Sequence, residues 1–95
     1  MKALILAASL LLFPVGASAQ MSDEQCLEVA NYIFFAATGR DFGAHPQAIL
    51  DALVGRGVPH DAAIAILEAV FIGMPERSPD FLATQFFNSC ISEAT

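Results

Sequence analysis

Positive charge is scarce in this 95-residue chain, where four Lys and Arg face ten Asp and Glu for a formal net charge of −6. That balance excludes the basic footprint needed to hold nucleic acid or an anionic lipid surface. Cysteine is limited to Cys26 and Cys90, with no Cys-x-x-Cys, and His45 and His60 are the only histidines. No third ligand sits at a recognisable spacing, so we expect no metal site. There is no P-loop, dinucleotide fingerprint or exposed-serine elbow. We therefore expect no catalytic residues, no cofactor and no enzymatic activity. No run alternates with period two for long enough to make a strand. Apolar residues make up 56% of the chain, yet none of their runs reaches the roughly 20 residues that cross a bilayer.

Much of that apolar content lies at the start. Met1 and Lys2 precede the run Ala3–Phe13, interrupted only by Ser9; Pro14 and Gly16 then break it, and Ala17-Ser18-Ala19 supplies small residues ahead of Gln20. This order of parts is that of a secretory signal peptide over residues 1–19, leaving a single small domain over residues 20–95. The remainder is about half hydrophobic, as in an ordinary globular domain. Without Lys2 it keeps three Arg against ten carboxylates, a net of −7. The expected location is the periplasm or outside the cell, with no membrane span after signal removal.

Two cysteines, one near each end of the mature chain, fit an oxidising compartment and a disulfide. The long loop so closed is worth roughly 4 kcal/mol on the chain-entropy model. Two free thiols in a redox or metal site are the weaker alternative.

Gly and Pro divide the mature chain into four expected helices. The first spans about Asp23–Thr38, with Ser22 and Gln25 as a capping box and Gly39 as its stop. The second runs from about Pro46 to Val54 and ends at Gly55 and Gly57. A third starts at His60 or Asp61 and reaches Ile72, before Gly73 and Pro75. The last follows Ser78 and reaches about Ser92. On a helical wheel Cys26 lies within the stripe Cys26, Leu27, Ala30, Ile33, Phe34, Ala37, and Cys90 within Leu82, Ala83, Phe86, Phe87, Ile91. Bridging them sets the first and last helices side by side and antiparallel. The fold expected is all-α, a small bundle of four short helices with one disulfide joining the first and last. Either an up-down-up-down bundle or an irregular orthogonal packing satisfies this. The third helix is apolar nearly all round, so Ile64, Ile66, Leu67, Val70 and Phe71 are expected at the centre of the core.

Few residues stand out as a site. Asp41-Phe42-Gly43 matches a kinase metal-binding triplet, but it reads here as the connection between the first two helices. Phe42 is expected to tuck into the core, and Arg40 and Asp41 to pair locally or cap a helix end. His45 and His60 each begin a helix beside a proline, where a titrating role competes with a plain surface position. Tyr32 and Phe35 lie on the polar side of the first helix near Glu28 and Asn31, and form a candidate partner-contact patch. The alternative is that the second helix or a loop covers them.

Cys26, the segment Arg40–Gly43, the apolar third helix and Phe86-x-x-x-Cys90 together resemble small exported two-cysteine helical proteins of bacteria. In outline the chain is also similar to periplasmic acid-stress chaperones, which are small, helical and stapled by one disulfide. No catalytic residue carries over from either resemblance. The expected function is that of a protein-binding module of the cell envelope, its partner a protein of unknown identity for which a basic one is an option. The alternatives are an inhibitor or immunity-type protein that neutralises a basic enzyme or toxin, and an acid-responsive periplasmic chaperone.

Overall fold

The computed structural model describes residues 21–94, and the leader expected over residues 1–19 lies outside them. Four helices follow in order: α1 (Asp23–Asp41), α2 (Pro46–Gly55), α3 (His60–Glu68) and α4 (Pro79–Ala94). A single wider turn, Ala69–Gly73, continues α3. No strand occurs among the described residues.

Local chemistry sets most of these boundaries. Ser22 and Gln25 form the reciprocal capping box: the Gln25 N–H donates to Ser22 Oγ at 3.1 Å, and the Ser22 N–H donates to Gln25 Oε1 at 2.9 Å. Two of the first-turn amides that a helix leaves unpaired are thereby satisfied. His45 caps α2 through Nδ1, which accepts from the Gln47 N–H at 3.3 Å, and Pro46 occupies the first turn. Ser78 Oγ accepts from the Phe81 N–H at 3.1 Å at the start of α4.

Helices α1 and α2 end in the same way. In α1 the Gly43 N–H donates to the Arg40 carbonyl and the Ala44 N–H to the Gly39 carbonyl. In α2 the Gly57 N–H donates to the Val54 carbonyl and the Val58 N–H to the Leu53 carbonyl. Both are Schellman motifs, in which the residue after the cap takes a left-handed conformation. Gly43 and Gly57 have φ of 84° and 98°, which a side chain disfavours.

The stop expected at Gly39 is therefore displaced, and α1 continues to Asp41. A Cβ at Gly39 would stand 3.0 Å from Ile49 Cδ1, so this glycine serves the close approach of α2. Phe42 does not tuck into the core but is 86% exposed. It occupies the cap position, whereas a Schellman motif turns the residue after its glycine (here Ala44) back onto the helix.

The fully buried Cys26 and the half-buried Cys90 form a disulfide across a sequence separation of 64, with Cα atoms 5.8 Å apart. It joins the start of α1 to the end of α4 and holds the two antiparallel along their length. Helices α2 and α3 pack on each other and on α1. Ile33, Ala36, Ala37, Leu50, Leu53, Val58, Ile66, Val70 and Leu82 are central to the shared core. This bond is compatible with an oxidising, extracytoplasmic location. No described helix is long and apolar enough to cross a membrane.

Two expected faces come out narrower. Leu27 and Phe34, placed on the buried stripe of α1, are 53% and 42% exposed. The buried strip of α1 is that of Cys26, Ala30, Ile33, Ala36 and Ala37. In α3, Ala63, Ile66 and Val70 are buried, and Ile64, Leu67 and Phe71 pack against the core from its edge. A flanking face of α3, about 100° round the ideal wheel from the buried one, carries exposed Ala62, Ala65 and Ala69. An apolar helix is not buried all round when its outer residues are alanines, because their small side chains gain little by being covered.

Candidate functional site

Those exposed alanines form one wall of an open groove. Ala62, Ala65 and Ala69 follow an i, i+3, i+7 pattern, which places them on one face. Gln25, Glu28, Val29 and Tyr32 of α1 form the facing wall, and Ile33, Ile66 and Phe86 lie deeper. The turn Gly57-Val58-Pro59 and Met21 complete the lining, and the groove has a volume of about 550 Å³. That is within the usual span of sites that receive an apolar group. A smaller cleft of about 190 Å³ lies between α1 and α4, lined by Leu27, Ala30, Asn31, Ala83, Thr84 and Phe87.

Polar atoms of the larger groove cluster on its α1 side. Tyr32 Oη donates to Glu28 Oε2 at 3.1 Å across one helical turn. This bond raises the Tyr32 pKa above the ordinary tyrosine value; partial desolvation and the Glu28 charge act in the same direction, and Arg56 opposes them. Ionising the phenol would turn a donor facing a carboxylate into a second negative charge.

Tyr32 and Phe35 meet different neighbours. Tyr32 lines the groove. Phe35 is half-buried against the core, and the Arg56 guanidinium stands 4.2 Å from its ring centroid. The residue that caps the C-terminal end of α2 thus lays a cation on the ring. His45 is a helix cap, and the exposed His60 stands 3.8 Å from Asp61. Among the described residues no three His, Cys, Asp or Glu are grouped so as to hold a metal ion.

Arg40 does both things foreseen for it. Its Nη2 lies 2.9 Å from Asp41 Oδ1. Its Nη1 donates to the Val70 carbonyl at 2.7 Å, and its Nη2 donates to the Arg77 carbonyl at 2.6 Å. A third, longer contact joins Nη1 to the Met74 carbonyl at 3.4 Å. The guanidinium therefore closes the C-terminal end of α3 and its wide turn, where carbonyls lack partners and the helix dipole favours a cation.

With Arg40 engaged in this way, the other two described arginines are also occupied. Arg56 covers Phe35, and Arg77 stands 4.7 Å from the Phe81 ring centroid. Glu24, Glu28, Asp61 and Glu68 are all exposed. On the ideal wheel Asp61 and Glu68 border the alanine face of α3, and Glu24 and Glu28 the outer edge of the α1 wall. The groove thus has apolar walls and an acidic margin. Sequence reasoning did not single it out, although the spacing of Ala62, Ala65 and Ala69 was visible. Comparison with family models, curated proteins and solved structures finds no match to this chain, so the groove and its margin are what a functional reading has to rest on.

Proposed function

We propose that this chain is an exported, disulfide-closed module of the cell envelope that acts by binding another protein through the groove between α1 and α3. The observation that carries the reading is an open apolar groove of about 550 Å³ whose margin bears carboxylates that, among the described residues, face no Lys or Arg. Apolar surface gathered in a concavity and rimmed by charge is what a partner can desolvate with gain. Small binding modules need a rigid frame, and the Cys26–Cys90 bond supplies one. The excess of carboxylates over Lys and Arg favours a second, narrower version, in which the partner is a basic enzyme or toxin that the module neutralises. Charge of this sign speeds association with such a partner.

The test is affinity capture from periplasmic extract with oxidised wild-type chain and with Ala65→Trp, at low and high salt, read by mass spectrometry. Ala65 is exposed, so the substitution fills the groove without disturbing the core. A protein retained by the wild type and lost with Ala65→Trp is the expected result. Identical profiles for the two proteins would remove the groove from consideration.

A further inference from the structure

Resting on the binding role proposed above, we infer that the groove receives an amphipathic α-helix of the partner, with its apolar strip inward and Lys or Arg along both edges. The shape of the groove argues for a helix. One wall is helix α3, reduced to methyl groups at Ala62, Ala65 and Ala69, so another helix axis can approach at the short end of the usual 8–10 Å range. The other wall, Val29 and Tyr32 of α1, offers larger side chains between which an incoming apolar row can sit. A helix laid between α1 and α3 presents apolar groups at i, i+3, i+4 and i+7 to both walls.

Charge decides the identity of the edges. Glu28 lines the α1 wall, and on the ideal wheel Glu24 falls beside it while Asp61 and Glu68 fall along the outer border of the α3 wall. Among the described residues Glu28 is met by a neutral phenol, and Asp61 by the exposed His60 at 3.8 Å. Among the described residues the cation beside the groove is Arg56, held over Phe35 next to the turn at Gly57. Carboxylates on both margins select cations on both edges of the incoming helix and repel an acidic one. The same argument disfavours a second copy of this chain, since each copy carries ten carboxylates against at most four Lys and Arg.

The experiment titrates the oxidised chain, purified from the periplasm, into a labelled synthetic peptide of about five helical turns. The peptide carries a Leu/Ala strip flanked by Lys, and binding is read by fluorescence anisotropy. Two controls replace Lys by Glu or scramble the strip at constant composition. Saturable one-to-one binding of the Lys peptide alone is expected, weakened roughly tenfold between low and high salt. Ala65→Trp should abolish it, and the double variant Glu28→Gln with Glu68→Gln should weaken it by roughly threefold to tenfold. Unchanged far-UV circular dichroism keeps both variants interpretable.

Failure of the Lys peptide to bind overturns the inference, as does equal binding of the Glu or scrambled peptide, or binding that survives Ala65→Trp. A concentration-dependent dimer of the chain itself, lost in Ala65→Trp, also overturns it and assigns the groove to a second copy. If the peptide fails while an envelope protein is still captured by the wild type and lost with Ala65→Trp, the basic helix is wrong and the binding role stands. If both fail, the binding role fails with it.

Discussion

Removing the Arg40 guanidinium should reveal how much of the fold hangs on one side chain. Its side chain is 10% exposed and reaches carbonyls 30 and 37 residues away, at 2.7 and 2.6 Å. Hydrogen bonds from a charged donor contribute about 1.5–3 kcal/mol each. The longer 3.4 Å contact to Met74 contributes little at that distance. Against the two short bonds stands the freezing of a long side chain, about 1.5–2 kcal/mol. Arg40→Met keeps most of the apolar stem and leaves the Val70 and Arg77 carbonyls without this donor, so the expected loss is about 2–4 kcal/mol. In urea, with a slope of about 1 kcal/mol/M for so small a domain, the unfolding midpoint should fall by roughly 2 M or more. Arg40→Lys should recover less than half, because one ammonium cannot span both carbonyls. Asp41→Asn should change stability by about 0.5 kcal/mol or less, since that ion pair is half-exposed. If Arg40→Met unfolds within about 0.5 kcal/mol of the wild type, the guanidinium is a surface group and the reasoning fails.

Other perturbations test the remaining parts. Replacing both Cys26 and Cys90 by Ala should destabilise the chain by about 4 kcal/mol, measured by denaturation of the oxidised wild type against the double variant. Gly57→Ala should cost about 1 kcal/mol through backbone strain alone, because nothing lies within 4 Å of the added Cβ. Thr38 carries a buried hydroxyl without a hydrogen-bond partner. Thr38→Val, of nearly equal shape, should therefore leave the melting temperature unchanged or raise it. In a spectrophotometric titration, Tyr32 should ionise above the ordinary tyrosine range, and Glu28→Gln should bring it down. Because the folded-state pKa is raised, its contribution to stability is complete below the unfolded tyrosine pKa and disappears as pH rises through the folded value.

How far the sequence foretold this structure depended on the reach of each interaction. The capping box at Ser22 and Gln25 spans three residues and could be read directly, as could Pro46 opening α2 and the pairing of two cysteines. Gly39 misled because glycine both ends helices and permits close packing, and only the position of Ile49 separates the two uses. Phe42 misled because hydrophobicity alone does not say which way a cap residue points. Arg40 was legible as a capping group, but its actual partners at Val70 and Arg77 depend on how α3 crosses α1. The groove was hidden for a related reason. Ala62, Ala65 and Ala69 belong to a helix that is apolar nearly all round, so nothing in the pattern marks them as exposed, and their exposure follows from there being no fifth helix to cover them among the described residues.

The Cys26–Cys90 bond also governs how this domain answers to being pulled. Tension applied between the chain before Cys26 and the chain after Cys90 passes through a covalent bond and bypasses the loop between them, a sequence separation of 64. The helices within that loop bear no load while the bond is intact. Reduction places them in series with the force and releases a contour of roughly 200 Å. A domain strung between two anchored neighbours would thus act as an inextensible link when oxidised and as a yielding one when reduced.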